Sequence, residues 1–245
     1  ISTGLSSNKF GVDSKTALTI YKRRKDFPHI QFTGIDMHIG SQITSIDPFV
    51  EAVQKLSELY FEIEQDGLKL KHFDVGGGMG VSYNSGNAFS INEFAERTIP
   101  LFKKLDCEII FEPGRFLTAN GGILVTEVLY NKRNGDKNFI VVDAAMNDLL
   151  RPSIYQAYHH IQPIQKFDHR NEIVADVVGP ICESGDYLAR DREISESKSG
   201  ELLAVMSTGA YGVVMTSNYN ARRRGAEILV DVNKYSVIRS RETFD

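Results

Sequence analysis

Hydrophobic and polar positions in the first 120 residues alternate between strand-like and helix-like patterns. A buried strand is predicted over residues 32–40, and the helix after it begins at Asp47 as the N-cap, with Pro48 in the first helical position. Apolar residues then recur at spacings of three and four, and Gly67 marks the helix end. The apolar face consists of Phe49, Val53, Leu56, Tyr60 and Ile63.

Two more strands of this region run directly into glycine and polar residues. One, over residues 72–75, continues into three glycines, and the other, over 107–111, continues into a Glu-Pro-Gly-Arg motif. Between them, Ser90 and Glu93 form a capping box that opens a helix, which Pro100 kinks or divides. Strands joined by helices of this length pair in parallel, and such sheets bind ligands at the carboxyl ends of their strands.

The second half of the chain is typical of short strands separated by turns. A turn over residues 131–137 contains an Asn-Gly pair and indicates a hairpin, and a short helix is predicted over 149–157. We therefore predict an α/β domain over residues 1–120 and a β-rich domain, a sandwich or barrel, over 121–245. Its strands are predicted over residues 122–130, 139–142, 172–178, 201–206 and 227–230.

A complete (β/α)8 barrel needs about 250 residues. The α/β domain has less than half that length, so it corresponds either to a small open sheet or to a barrel whose front is missing.

Composition and charge exclude several classes of protein. The 28 basic and 32 acidic residues give a net charge of −4, which disfavours a nucleic-acid partner. Hydrophobic residues make up 42% of the chain, enough for a folded core, yet no apolar run approaches the ~20 residues of a membrane span. The start shows no signal peptide, and two distant cysteines, Cys107 and Cys182, suit a reducing compartment, so a cytoplasmic location is predicted.

Several positions in the α/β domain suit an anionic, aromatic ligand. The glycines at 76–78 would let backbone N–H groups approach a phosphate, or they form a tight turn. Glu112 could keep a ring nitrogen protonated while Arg115 holds an anion, or the two could form a surface salt bridge. His38 could stack on a flat cofactor or act as an acid or base, although a lone histidine is more often structural; Ser41 has the same two interpretations.

The β-rich domain adds a candidate proton donor and a candidate carboxylate-binding pair. Cys182 beside Glu183 could donate a proton, because neighbouring carboxylates keep a thiol protonated, or it could be an inert small apolar residue. Arg151 and Tyr155 could grip a carboxylate, and Tyr211 presents a hydroxyl between glycines, but each could simply belong to a turn. The six histidines form no ligand pattern, so no metal centre is predicted.

Together and in this order, these motifs resemble those of diaminopimelate decarboxylase, in the alanine-racemase-like group of pyridoxal-phosphate enzymes. The triglycine and Glu-Pro-Gly-Arg motifs are shared with ornithine and arginine decarboxylases, whereas Arg-Pro before Tyr155 and the Cys-Glu-Ser-Gly-Asp stretch indicate the diaminopimelate branch. The matching stretches span nearly the whole chain and lie at residues 1–5, 8–11, 38–42, 76–78, 112–115, 147–155, 182–186, 209–212 and 217–220.

The resemblance implies a pyridoxal 5′-phosphate site in the C-terminal part of a (β/α)8 barrel that is followed by a β domain. Glu112 would pair with the pyridine nitrogen, so that the ring stays protonated, and His38 would stack on the ring face. The residues that the resemblance assigns to the phosphate, the last two through their backbone N–H groups, are Ser41, Gly78, Gly114 and Arg115.

The resemblance also implies a substrate grip and a proton donor. Arg115 and Arg151 would pair with the carboxylate that the substrate keeps, and Glu183 would meet the distal ammonium group. Cys182 would protonate the carbon that has lost carbon dioxide, from a loop that reaches into the partner subunit's site, so a homodimer with shared active sites is implied. The substrate-binding residues are Arg115, Arg151, Tyr155, Glu183 and Tyr211, of which Tyr211 also contacts the cofactor.

The main departure from the family concerns its Schiff-base lysine. In the family that lysine lies on an early barrel strand, upstream of anything that matches Ile1, and none of the lysines here stands in its motif. The chain is therefore expected to be N-terminally incomplete and inactive alone. Smaller departures, Ala145 for glycine and Ser207-Thr208 for Asp-Ala, leave the assigned residues untouched.

The expected activity is decarboxylation of meso-2,6-diaminopimelate to L-lysine and carbon dioxide, a step of lysine biosynthesis. The alternatives are an ornithine, arginine or carboxynorspermidine decarboxylase and a catalytically inactive paralogue that regulates an active enzyme. Arg151 argues against the ornithine and arginine types, whose diamine-forming substrates have no second carboxylate. The joint presence of Glu112, Arg115 and Cys182 argues against the inactive paralogue.

Overall fold

The chain divides into two compact units, Ile1–Leu117 and Thr118–Asp245. The computed structural model describes residues 9–84, 86, 89–165 and 168–244. Within these ranges, no helix combines the length and the apolar composition that crossing a bilayer requires.

The first unit contains a parallel three-stranded sheet. Its order is β1 (Gly34–Asp36), β2 (His72–Asp74), β3 (Glu108–Ile110), which confirms the predicted parallel pairing. All three strands are shorter than the predicted ones. Beyond β1 and β2 the chain reaches Gly40 and Gly76, which adopt positive φ angles, +147° and +70°, that favour glycine.

Helices of the first unit follow the predicted apolar and capping patterns. They are α1 (Ser14–Lys22), α2 (Asp47–Gln65), α3 (Ile91–Phe102) and α4 (Gly114–Thr118). Ser90 caps α3 as predicted, since its hydroxyl accepts a hydrogen bond from the Glu93 N–H at 3.2 Å. Helix α3 runs through Pro100 without dividing, and Gly67 lies beyond α2 with φ +81°, as expected of a helix stop.

The predicted N-cap of α2 is wrong by one residue. Ile46 occupies the N-cap position, and Asp47 lies in the first helical turn. The Asp47 carboxylate instead forms an ion pair with Arg97 of α3, with Nη2 and Oδ1 2.7 Å apart. A contact between two helices therefore uses the side chain that the sequence pattern assigns to local capping.

The apolar face predicted for α2 forms the centre of the core in this unit. Its residues pack on one face of the parallel sheet, against Ile35 and Phe73. Phe49 at the N-terminal end of α2 packs in a second, aromatic cluster with Phe89 and Phe94. The sheet face opposite to this core is the one that carries polar side chains.

The second unit is built around a six-stranded sheet. Its elements are β4 (Leu124–Asn134), β5 (Lys137–Val142), α5 (Arg151–Tyr155), β6 (Ile161–Pro163), β7 (Glu172–Val178), β8 (Tyr187–Ser195), β9 (Leu202–Val205), β10 (Glu227–Asp231) and β11 (Lys234–Arg239). The strand order is β6-β9-β4-β5-β7-β8, antiparallel except for the parallel pair β5 and β7. Strands β10 and β11 form a separate hairpin whose side chains are mostly exposed.

The hairpin indicated by the Asn-Gly pair is confirmed, since β4 and β5 pair in antiparallel. Its turn is shorter than the predicted 131–137, because the strands pair up to Asn134 and Lys137 and only two residues form the turn. Strands β6 and β8 of this sheet were not predicted. Strand β6 has only three residues. In β8 the exposed positions are polar and Asp191 adopts a left-handed backbone, φ +44°, so the alternation of apolar residues is interrupted.

We expect Gly77→Ala to lower the free energy of unfolding by about 1–3 kcal/mol, the usual cost of overpacking. A Cβ at this position would lie nearer than 3.0 Å to the carbonyl oxygen of Glu112, a separation that Cβ atoms do not adopt. Thermal or denaturant unfolding followed by circular dichroism measures the effect. Gly121→Ala is the matched control, since nothing lies within 4 Å of its Cβ position; equal losses in both variants would contradict the steric argument.

Candidate active site

The polar face of the parallel sheet carries the candidate residues of the first unit. Asp36 of β1 and Asp74 of β2 are register partners, and side chains alternate along a strand, so both face away from Ile35 and Phe73. Burial raises the pKa of Asp36, and the nearby negative charges of Asp74 and Glu112 raise it further. The strand ends therefore form an acidic surface where a cationic ring nitrogen would be favoured.

The three glycines after β2 join the ends of all three strands. A Cβ on Gly76, Gly77 or Gly78 would lie nearer than 3.0 Å to a backbone oxygen of the chain that follows β1 or β3. Hydrogen bonds follow the same contacts, because the Glu112 N–H donates to the Gly76 carbonyl and the Ile43 N–H to the Gly78 carbonyl, both at 2.9 Å. Close backbone packing accounts for these glycines, and phosphate binding at Gly78 stays a prediction.

Arg115 lies inside the structure and not on a surface loop. The residue lies in α4 and is only 6% exposed. Its guanidinium donates hydrogen bonds to the hydroxyls of Tyr83 at 2.6 Å and Ser41 at 3.0 Å. These two hydroxyls orient the guanidinium. Gly114 beside it donates its N–H to the Glu112 carbonyl at 2.8 Å, while His38 and Glu112 are exposed at the strand ends.

In the second unit, α5 presents Arg151 and Tyr155 in different environments. Arg151 is 5% exposed and Tyr155 is 51% exposed, so the guanidinium is held in the protein while the phenol reaches solvent. The Arg151 Nη1 lies 2.8 Å from the Nε2 of His159, a residue that sequence analysis did not single out. Gln156 follows the helix with a left-handed backbone, φ +52°, and the next N–H, that of Ala157, donates to the Arg151 carbonyl at 3.4 Å.

The loop that carries Cys182 and Glu183 is anchored to the rest of this unit by a buried carboxylate. Asp186 accepts hydrogen bonds from the N–H groups of Met146 and Ile181, each at 2.7 Å. Both Cys182 and Glu183 are exposed. The loop therefore presents a thiol and a carboxylate to solvent from a fixed base.

This loop is also bonded directly to α5 and to a tyrosine further along the chain. The Ser153 hydroxyl donates to the Gly185 carbonyl at 2.6 Å, so the arginine-bearing helix and the Cys182 loop are neighbours. The Tyr219 hydroxyl donates to Glu183 Oε2 at 3.3 Å, and the negative charge of Glu183 raises the pKa of Tyr219. The candidate groups of the second unit thus form one connected constellation.

Tyr211 occupies a backbone conformation that side chains other than glycine rarely adopt, with φ +57° and 47% of its side chain exposed. The glycines on either side have packing reasons, because a Cβ on Gly209 or Gly212 would lie nearer than 3.0 Å to a backbone oxygen. A left-handed tyrosine held between two close contacts suggests a functional reason for its placement.

The structure joins some of the predicted residues and reveals four that sequence analysis missed. Hydrogen bonds join Ser41 to Arg115 in one unit, and the Cys182 loop to α5 in the other. The missed residues are Tyr83, His159, Asp186 and Tyr219. Tyr83, Asp186 and Tyr219 contact residues 32, 40 and 36 positions away, and His159 contacts Arg151 and Met206, 8 and 47 positions away. Asp186 and Tyr219 lie within the matching stretches 182–186 and 217–220, but no spacing pattern predicted their contacts. The motif at residues 1–5, and Asn8, fall outside the described residues.

Known proteins share both the sequence and the fold of this chain. Residues 1–119 match the family model of the pyridoxal-dependent decarboxylases, pyridoxal binding domain. Diaminopimelate decarboxylases of Aquifex aeolicus and Neisseria meningitidis serogroup B are 47% and 46% identical over the whole chain, which covers 58% and 59% of them. The chain thus spans about three fifths of the length of these curated relatives.

Solved structures of amino-acid decarboxylases share the fold of this chain. Diaminopimelate decarboxylase of Helicobacter pylori complexed with L-lysine superposes with a TM-score of 0.93 at 41% identity, over 99% of this chain and 60% of that one. A lysine/ornithine decarboxylase of Vibrio vulnificus complexed with cadaverine superposes with a TM-score of 0.81 at 25% identity, over 90% of this chain and 60% of that one.

These matches confirm the expected fold class, strand–helix units of a pyridoxal phosphate-binding barrel followed by a β-rich domain. They also confirm the resemblance inferred from the motifs. The chain is a homologue of the diaminopimelate decarboxylases over its whole length, and its residues 1–119 match the pyridoxal binding domain of the pyridoxal-dependent decarboxylases.

Proposed function

We propose that these 245 residues form part of an enzyme, the holoenzyme when pyridoxal 5′-phosphate is bound, that decarboxylates meso-2,6-diaminopimelate to L-lysine and carbon dioxide. The observation that carries the proposal is the buried Arg151 of α5, a helix that is hydrogen-bonded through Ser153 to the exposed Cys182 loop. Diaminopimelate has two carboxylates, one that is lost and one that is kept, and a preset guanidinium suits the one that is kept. Relatives crystallised with L-lysine support the same chemistry.

The residues of the first unit fit the cofactor. Gly78 lets the chain pass where any Cβ would collide with a backbone oxygen, and Ser41 lies within hydrogen-bond reach of a buried guanidinium, so hydroxyl, backbone and positive charge converge near the sheet end. We assign the phosphate to Ser41, Gly78, Gly114 and Arg115, the pyridine nitrogen to Glu112, and the ring face to His38. When bound, pyridoxal phosphate supplies an electron sink for the bond that breaks.

The residues of the second unit bind the substrate and move a proton. Arg151 and Tyr155 hold the retained carboxylate, to which the resemblance also assigns Arg115. Glu183, already oriented by the Tyr219 hydroxyl, takes the distal ammonium group. The Cys182 thiol delivers a proton to the carbon that has lost carbon dioxide, and the phenol of Tyr211, half exposed on its fixed bend, lines the same substrate.

The exposed loop supports a homodimer with shared sites. Cys182 and Glu183 point to solvent from a base fixed by Asp186, which is the arrangement expected of groups that complete the site of a second copy. The proposal therefore places the Cys182 loop of one subunit at the cofactor of the other. The cytoplasmic location stays a prediction from the sequence.

Arg151 distinguishes this proposal from its closest alternatives. A decarboxylase that forms a diamine has no second carboxylate to pair with this arginine, and the lysine/ornithine enzyme is a more distant match, at 25% identity, than the diaminopimelate enzymes. An inactive paralogue would keep the fold without turnover, so an assay of carbon dioxide and L-lysine release from diaminopimelate separates it from the proposal.

Arg151→Ala in the holoenzyme should lower kcat/KM for diaminopimelate by roughly 30-fold or more, because truncating one partner of a buried charge pair costs about 2–5 kcal/mol. Cofactor absorbance should persist. The control is Arg133→Ala, which removes an exposed arginine whose partners lie in the β4–β5 turn. A kcat/KM that matches the control would contradict the substrate assignment.

Mixing two inactive variants tests the shared site. Cys182→Ala should bind diaminopimelate yet turn over slowly. Arg115→Ala should be inactive for a different reason, because it removes a cofactor and substrate contact from the half of the site that the other subunit supplies. Random exchange makes half of the dimers hybrids with one intact site, so the mixture should recover about a quarter of the wild-type activity. A mixture no more active than its components, with exchange verified by native mass spectrometry, would refute the shared site.

A third prediction concerns the lysine that the family uses to attach its cofactor. The strand ends offer none, since residues 34–42, 72–83 and 108–116 contain no lysine. We therefore propose that the attaching amine is not among the lysines of this sequence and that these 245 residues alone are inactive. After addition of pyridoxal phosphate and borohydride reduction, peptide mapping should find no stoichiometric label. One fully labelled lysine together with decarboxylase activity would overturn this assignment.

A further inference from the structure

His159 is buried between two groups that define the positions of its ring hydrogens. The residue has no exposed surface. Its Nδ1 lies 2.8 Å from the carbonyl oxygen of Met206, and its Nε2 lies 2.8 Å from Nη1 of Arg151. Both distances are those of full hydrogen bonds.

The chemistry of these two partners selects one form of the imidazole. A carbonyl oxygen can only accept, so Nδ1 must carry the hydrogen. A guanidinium can only donate, so Nε2 must offer its lone pair. The neutral ring with its hydrogen on Nδ1 makes both bonds. Any form with a hydrogen on Nε2 would set two N–H groups against each other across the 2.8 Å contact with Arg151.

The chain around His159 holds the ring in place from several sides. The His159 carbonyl accepts a hydrogen bond from Arg192 of β8 at 2.6 Å, and the guanidinium of Arg192 stacks on the Tyr158 ring, 3.8 Å from its centroid. The Met206 N–H donates to the carbonyl of His160 at 2.8 Å. Arg192 of β8 and Met206, directly after β9, therefore fix the backbone around His159, and the imidazole links that backbone to Arg151 of α5.

We propose that His159 is a positioning residue that fixes the plane of the Arg151 guanidinium for the retained carboxylate of the substrate. Two-point recognition of a carboxylate requires a guanidinium in a defined plane, and a bond to one terminal nitrogen sets its rotation. The inference rests on the proposed function of Arg151. It extends that function to a residue that would touch neither the substrate nor the cofactor.

Two substitutions separate the two bonds of the ring. An asparagine at 159 places its amide where Nδ1 lies, so it can keep the Met206 bond but cannot reach Arg151. A glutamine places its amide near the position of Nε2 and can still accept from Arg151. His160→Asn is the matched control, because that neighbour is exposed and its ring bonds only to Gln162 among the described side-chain contacts.

The test is binding of L-lysine and of 1,5-diaminopentane to the holoenzyme by calorimetry. L-lysine carries the retained carboxylate, and the diamine does not. His159→Asn should lower the affinity for L-lysine about tenfold, which is the effect of one lost hydrogen bond to a charged group. The affinity for the diamine should not change. His159→Gln should recover most of the L-lysine affinity, with KM for diaminopimelate following the same order and kcat changing less.

A second measurement decides the ring geometry without reference to function. The measurement is an NMR spectrum of protein with 15N-labelled histidine rings. The His159 signal is assigned by its loss in His159→Asn, and it should show hydrogen on Nδ1 and none on Nε2. Hydrogen on Nε2 would overturn the positioning role, and so would an equal loss of affinity for L-lysine and for 1,5-diaminopentane in His159→Asn. If the wild-type holoenzyme bound no L-lysine, the proposed function would fail, while the ring measurement would still decide the pairing.

Discussion

The first unit depends on a backbone contact that excludes every side chain. At the triglycine bend after β2, the chain lies so close to the segments that follow β1 and β3 that a single Cβ would collide with a carbonyl oxygen. The bend therefore sets the distance between three strand ends. Because His38 and Glu112 stand on the segments that follow β1 and β3, glycine packing helps to set the distance between them.

In the second unit, a buried carboxylate, that of Asp186, fixes the chain segments that carry the candidate residues. A carboxylate away from water is stable only when its oxygens accept hydrogen bonds, and Asp186 satisfies this requirement with two backbone N–H groups from different segments. Gly179 has no side chain, because a Cβ there would lie against this carboxylate. Asp186 thus joins the Cys182 loop to the chain that leads into α5. The backbone that carries Cys182 and Glu183 is held in place by these hydrogen bonds.

Elements with strong local patterns could be predicted from the sequence. The apolar face of α2, the parallel strands and the Ser90 cap depend on spacing and nearest neighbours, and the structure confirms them. The cap assigned to Asp47 and the missing strand β8 show the limit of this reasoning. In the first, a distant arginine competes for the side chain, and in the second, an irregular backbone interrupts the alternation.

The candidate site divides in the same way. Arg151, Glu112 and Cys182 stand in recognisable motifs, so sequence alone singles them out, although the roles assigned to them remain proposals. Tyr83 and His159 could not be found in this way. Tyr83 contacts Arg115 across 32 positions, and His159 is significant only because the chain reverses after α5. Residues that orient other residues leave no spacing pattern, since their partners are chosen by tertiary folding.

The triglycine bend has a consequence for how this scaffold can change over generations. Any substitution that gives one of its glycines a side chain would place a Cβ against the backbone that follows β1 or β3. We therefore expect few substitutions to be accepted at these three positions. Tyr155 and Glu183 of the second unit are exposed, so a new side chain there would meet solvent and not backbone. If the proposed substrate contacts of these two residues hold, a change of substrate preference would arise more easily in the second unit than at the triglycine bend.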